Sequence, residues 1–148
     1  MRNDPAQKRK SAYVRFFRIP WLPELLIGID RGKALGKGFR DSIRADAFTE
    51  ADLAEYRKAW AQPGALTAMI NYYRALLRKP LAAPGEYRIA CPTLVIWGRR
   101  DAYALPSLAE ASLRLCADGR IVYLDRSTHW APHDEPERVA GLLTEFLG

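Results

Sequence analysis

The chain has 148 residues, of which 49% are hydrophobic and 27% charged, with a formal net charge of +6. That is one ordinary domain's worth of chain, long enough to bury a core, and the composition excludes collagen, coiled coil and a disordered tail. No run approaches the roughly 20 apolar residues needed to cross a bilayer, and the polar opening from Met1 to Lys10 has no apolar segment of a secretory signal behind it.

Residues 1–44 carry eleven Lys/Arg against four Asp/Glu, while the remainder carries twelve against thirteen. The basic residues of the first segment alternate with apolar ones at helical spacing and no recognition motif accompanies them. They read as a solvated helical face, not a nucleic-acid contact.

From about residue 5 to 79 the pattern is helical. Tyr13, Phe16 and Phe17 recur at helix spacing, and Pro20 and Pro23 are expected to stop that element. A loose stretch is expected around Gly28, Gly32, Gly36 and Gly38. Thr49-Glu50-Ala51-Asp52 resembles a capping box, with Asp in place of the usual Glu. It opens a helix striped by Leu53, Tyr56 and Trp60 and ended by Gln62-Pro63-Gly64. The next helix places Leu66, Met69, Ile70, Tyr73, Leu76 and Leu77 on one face, and Pro80 and Pro84 break it.

From residue 90 the pattern changes. Thr93–Trp97 is a continuous apolar run rich in β-branched residues, which predicts a strand buried on both faces of a parallel sheet. A helix follows, with Leu108, Ala111, Leu115 and Cys116 inward. Ile121–Leu124 is a second strand, and a last helix from Pro136 buries Val139, Leu142, Leu143 and Phe146. Strand, helix, strand, helix predicts a parallel crossover. Two strands do not make a sheet of this type, so the sheet half reads as incomplete. Cys91 and Cys116 lack CxxC or metal-ligand spacing and are expected as buried thiols in a reducing cytoplasm.

Ligands of parallel sheets sit beyond the carboxyl ends of the strands. Trp97-Gly98-Arg99-Arg100-Asp101 follows the first strand there, and Asp125-Arg126-Ser127-Thr128-His129-Trp130 the second. Neighbouring strands lie about 4.8 Å apart, so Asp101 and His129 can meet. Taken singly, Asp101 reads as a helix N-cap and His129 as a hydrogen-bonded loop histidine. Taken as a pair on adjacent strand ends they read as the acid–base half of a catalytic triad.

The segment Trp97–Asp101, then Thr128-His129-Trp130, then Asp134-Glu135-Pro136-Glu137-Arg138-Val139, resembles the end of α/β-hydrolases of the epoxide hydrolase and haloalkane dehalogenase branch. Upstream, Ser11–Phe17 and Asn71-Tyr72-Tyr73-Arg74 resemble the two tyrosine motifs of the epoxide hydrolase cap, and Pro63–Leu66 is also family-like. The resemblance covers essentially the whole chain. It implies an α/β fold in its C-terminal part: a helical cap over residues 1–85, then the last two parallel strands and their helices over 86–148. It implies Asp101 as triad acid, His129 as general base, and Tyr13 and Tyr73 as donors to the epoxide oxygen of a small apolar epoxide or ester-like substrate. By spacing alone, Tyr13 and Tyr73 are equally well read as packing residues. Thr128 stands where the family often has Gly, and Ala12 and Arg15 where bulkier apolar residues are common.

The family's earlier strands, oxyanion-hole motif and nucleophile elbow are not visible, so the chain reads as truncated and inactive alone. It is then expected to depend on a separate N-terminal piece or on self-association. Gly28-Ile29-Asp30-Arg31-Gly32 imitates an elbow, but an elbow needs a central strand before it, and Pro23 is poorly placed in one. No metal or organic cofactor and no membrane or nucleic-acid partner is expected. The alternatives are a haloalkane dehalogenase or serine esterase of the same superfamily, or a non-catalytic interaction module.

Overall fold

A computed structural model describes residues 4–29, 32–78 and 88–148. In chain order the elements are α1 (Pro5–Lys10), α2 (Tyr13–Phe17), α3 (Leu22–Ile29), α4 (Lys33–Ser42), α5 (Glu50–Trp60), α6 (Ala65–Arg78), β1 (Thr93–Gly98), α7 (Pro106–Leu113), β2 (Gly119–Leu124), α8 (Ala131–Asp134) and α9 (Pro136–Leu147). The described residues fall into two compact units. A strand-bearing unit takes those within Met1–Lys10, Ser42–Phe48 and Gly85–Gly148, and a helical unit those within Ser11–Asp41 and Thr49–Pro84. The segments 4–10 and 42–48, which read as part of the helical region in sequence, thus group with the strands.

In the strand-bearing unit β1 and β2 pair in parallel, with Ile96 opposite Val122 and Gly98 opposite Leu124. Alternation sends Leu94, Ile96, Val122 and Leu124 to one face. There they pack with Ala131, Val139 and Leu142 of the last two helices. The other face meets α7, where the Tyr123 hydroxyl donates to Glu110 Oε1 at 3.2 Å and Ala109 is buried. Before β1 the ladder already touches at Ile89, which bridges Cys116. Pro92, lacking an N–H, interrupts it until Thr93 N donates to Asp118 O at 2.9 Å.

Several expectations are corrected. The side chains of β1 from Thr93 to Trp97 are half-buried, because the described sheet has two strands and neither face is fully covered. Leu115 and Leu143 are exposed: Leu115 lies past the end of α7, and the neighbouring Leu142 takes the core side of α9. Cys91 is exposed while Cys116 is buried, and both are free thiols. Cys91 precedes β1, outside the paired strands.

In the helical unit the capping box forms as expected. Thr49 Oγ1 accepts from Asp52 N at 3.2 Å, and Asp52 Oδ2 accepts from Thr49 N at 2.8 Å. The helix it opens buries Leu53 and Trp60, and α6 buries Ile70. The glycine-rich stretch is not loose. Helix α3 spans Leu22–Ile29 and α4 spans Lys33–Ser42. Pro23 therefore opens a helix instead of stopping one; in the first turn its missing N–H costs nothing. Gly36 and Gly38 each cost a helix about 1 kcal/mol relative to Ala, but apolar burial overrides them. The Phe39 ring lies 5.0 Å from that of Tyr56, and Gly36 faces Leu53. Helix α3 occupies the place where an elbow's strand would have to be. Asp30 and Arg31 of the elbow-like run lie outside the described residues, as do Pro80 and Pro84.

Candidate active site

β1 ends on Gly98 and β2 on Leu124, and their continuations stay paired. Arg99 N donates to Leu124 O at 3.0 Å, and Arg100 N to Ser127 O at 2.9 Å. A β-carbon on Gly98 would overlap the Thr128 carbonyl oxygen and stand 2.6 Å from that of Ser127. Only glycine lets the two turns approach this closely.

That approach brings Asp101 to His129. Asp101 Oδ2 and His129 Nδ1 are 2.9 Å apart, with the Asp101 side chain 7% exposed and that of His129 43% exposed. The other oxygen, Oδ1, accepts from Tyr103 N at 2.7 Å and Ala104 N at 2.9 Å. Burial is the largest single influence and pushes the Asp101 carboxyl up. The hydrogen bond from His129, the Ala104 and Tyr103 N–H groups and the imidazole charge together outweigh it, so the carboxyl lies below its ordinary 3.8. An ionised carboxylate only accepts, so Nδ1 carries the proton and Nε2 of a neutral ring has a free lone pair. Tyr103 and Trp130 meet the imidazole edge to face at 5.1 and 5.3 Å.

The loop carrying Asp101 is held from the chain's first helix. Gln7 Nε2 donates to Tyr103 O and Gln7 Oε1 accepts from Leu105 N, both at 2.9 Å. Lys10 Nζ donates to Asp101 O at 2.7 Å. The loop carrying His129 is held by Asp134, which accepts from Thr128. Neither Gln7 nor Lys10 gave a sequence signal, because both act across more than 90 positions. Asp134 lay within the family-like motif but without a role.

Tyr13 and Tyr73 come together in the helical unit. Their rings are 5.9 Å apart and nearly perpendicular, and Phe17 lies 5.0 Å from Tyr73. Arg74 fastens α6 to the α2–α3 connection. Its guanidinium donates to Phe17 O at 2.9 Å and Ile19 O at 2.7 Å, and it grips both oxygens of Glu24 at 2.6 and 3.1 Å. The hydrogen bond from Arg74 is the main reason the Glu24 carboxyl lies below its ordinary 4.5 despite partial burial. The two pairs, Asp101–His129 and Tyr13–Tyr73, belong to different units. No group of His, Cys, Asp and Glu among the described residues is arranged to hold a metal ion. No helix among them is long and apolar enough to cross a membrane.

A parallel strand pair with helices on both faces and an Asp–His pair at the carboxyl ends defines the class. Residues 4–142 match the family model described as the alpha/beta hydrolase family, and the chain belongs to that family. It is 38% identical over 143 residues to the AB hydrolase superfamily protein YfhM of Bacillus subtilis, a match covering 97% of this chain and 50% of that protein. It is 33% identical to epoxide hydrolase 2 of Caenorhabditis elegans, covering 95% of this chain and 41% of that one. The chain thus spans about half the length of the curated relatives it matches. Among solved structures, an inhibitor complex of the Bacillus megaterium epoxide hydrolase superposes with a TM-score of 0.76 at 22% identity, over 99% of this chain and 54% of that one. An epoxide hydrolase of the same superfamily from hot-environment metagenomes gives 0.75 at 26% identity, over 97% and 52%. The resemblance to epoxide hydrolases read from the motifs is therefore matched by sequence relatives and, for the fold, by solved structures.

Proposed function

We propose that the chain carries the acid–base half, and the epoxide-binding phenols, of an epoxide hydrolase. The observation that carries this reading is the 2.9 Å bond between Asp101 Oδ2 and His129 Nδ1, made by a buried carboxylate that stays ionised. In this reading a carboxylate nucleophile attacks an epoxide carbon. The carbon–oxygen bond breaks, and a phenol of Tyr13 or Tyr73 gives its proton to the leaving oxygen. A hydroxyalkyl ester results. His129 Nε2 then takes a proton from water, hydroxide adds to the ester carbonyl, the imidazolium protonates the alkoxide that leaves as the diol, and the carboxylic acid left on the nucleophile returns its proton to the phenolate. Asp101 stabilises the imidazolium formed in that step. A neutral phenol suits an alkoxide leaving group, being a donor that remains protonated at neutral pH.

The reading draws the nucleophile and the oxyanion-hole donors from polypeptide outside these 148 residues, in the same protein or by association. It favours the epoxide over a halide or ester substrate because of the perpendicular tyrosine pair. The free thiols of Cys91 and Cys116 suit a reducing cytoplasm as its compartment.

The test joins residues 1–148 to the N-terminal half of the Bacillus subtilis relative and assays diol formation from styrene oxide. Intact mass spectrometry reads any ester adduct. Diol formation is expected, with His129→Gln trapping the adduct and Tyr13→Phe with Tyr73→Phe suppressing its formation. Diol formation untouched by His129→Gln would overturn the proposal. Turnover of 1-chlorobutane or 4-nitrophenyl acetate without epoxide turnover would move it to the dehalogenase or esterase branch.

A further inference from the structure

The bonds around Thr128 go beyond the Asp101–His129 pair. Asp134 is 3% exposed. Its Oδ2 accepts from both Thr128 N and Thr128 Oγ1 at 2.6 Å, and its Oδ1 accepts from Arg44 N at 3.1 Å. The Thr128 hydroxyl, having donated to Asp134, accepts from Trp130 N at 3.3 Å. The residue before His129 and the residue after it are therefore tied to one another and to one buried carboxylate. Next to this clamp, Ser127, fully buried, donates its hydroxyl to Glu135 Oε1 at 2.6 Å. On the Arg44 side, Ser42 Oγ accepts from Trp130 Nε1 at 2.9 Å, so segment 42–48 grips the same loop.

We infer that Asp134 is a positioning residue for His129, acting through the Thr128 hydroxyl. The inference rests on the reading of His129 as the base and deepens it. Short hydrogen bonds to an ionised acceptor are the strong ones, and a buried acceptor with all its partners in place fixes a backbone better than packing alone. The consequence falls on the imidazole. With both flanking peptides fixed, Nδ1 is aimed at Asp101 before any substrate arrives, and Nε2 is left as the basic nitrogen. A glycine at position 128 could give the backbone N–H bond but neither of the hydroxyl bonds.

The experiment uses the full 148-residue chain and long-range ¹H–¹⁵N spectra of the His129 ring above pH 8, which read which ring nitrogen holds the proton. The wild type is expected in the Nδ1-protonated form. Thr128→Val removes only the hydroxyl. Asp134→Ala removes the acceptor of both Thr128 bonds. Each is expected to move the population about threefold or more toward the Nε2-protonated form, as losing one net hydrogen bond does. Thr128→Ser is expected to restore it. A ring population unchanged in Thr128→Val, with strand resonances intact, overturns the inference whether or not Asp134→Ala folds. The readout needs no epoxide, so failure of the hydrolase reading would appear separately, in the diol assay.

Discussion

The carbonyl oxygen of Thr128 occupies the space that a β-carbon on Gly98 would need. Two backbones therefore meet where two side chains, Asp101 and His129, must also meet. The short approach of the turns sets the 2.9 Å bond between them.

Gly98→Ala forces those turns apart. The clash is with backbone atoms of Thr128 and Ser127, which have no rotamer to give. Overpacking costs about 1–3 kcal/mol and occasionally more, and a clash with backbone falls at the upper end. Urea denaturation is expected to show that loss, and the Nδ1 proton of His129 should lose its bonded character in whatever fraction remains folded.

Acid should weaken the strand-bearing unit through Asp101. Its folded carboxyl lies below 3.8, while an unfolded aspartate titrates near that value. The unfolded chain therefore binds the proton first. The stabilisation is fully present above that pH and is lost as pH falls through the lower folded value. Asp101→Asn has no such proton to bind. Denaturation midpoints measured at a series of pH values should fall less steeply below pH 4 for the variant than for the wild type.

Arg74 and Glu24 should couple strongly. Their side chains are 13% and 19% exposed, and the guanidinium is bidentate on the carboxylate. Arg74→Ala also strips two carbonyls, Phe17 O and Ile19 O, of a donor. A loss of about 2 kcal/mol is expected, in the range of hydrogen bonds to charged groups. The Glu24→Ala, Arg74→Ala double variant should lose less than the sum of the two single losses. Because the Arg74 bond holds the Glu24 carboxyl below 4.5, this contribution too disappears as pH falls through that region.

Thr49→Ala removes the cap of α5. About 1 kcal/mol of stability should go with it, and Thr49→Ser should keep most of it. Thermal unfolding followed by circular dichroism measures both.

The features legible in the sequence were those set by local chemistry. The Thr49 cap, the apolar run of β1 and the helical stripe through Ile70 each announce themselves within a few residues. Asp101 and His129 were legible because adjacent parallel strands deliver the loops at their carboxyl ends side by side. Helix α4 was not, because Gly36 and Gly38 speak against a helix locally, and only packing on Leu53 and Tyr56 overrides them. Gln7 and the Arg44–Asp134 bond were not legible either. Each joins segments 90 or more positions apart, and an amide or a backbone N–H carries no mark of its distant partner.

The Gln7 amide meets Tyr103 O and Leu105 N as a neighbouring peptide would, and that has a consequence for biosynthesis. A ribosome releases Gln7 long before either partner exists, the separations being 96 and 98 positions. The helical unit, whose Arg74–Glu24 clasp spans 50 positions, can close while translation continues. The opening helix cannot dock until the Asp101 loop has emerged. Within these residues the strand-bearing unit thus matures after the helical unit can close, because α1 waits for a loop made more than 90 positions later.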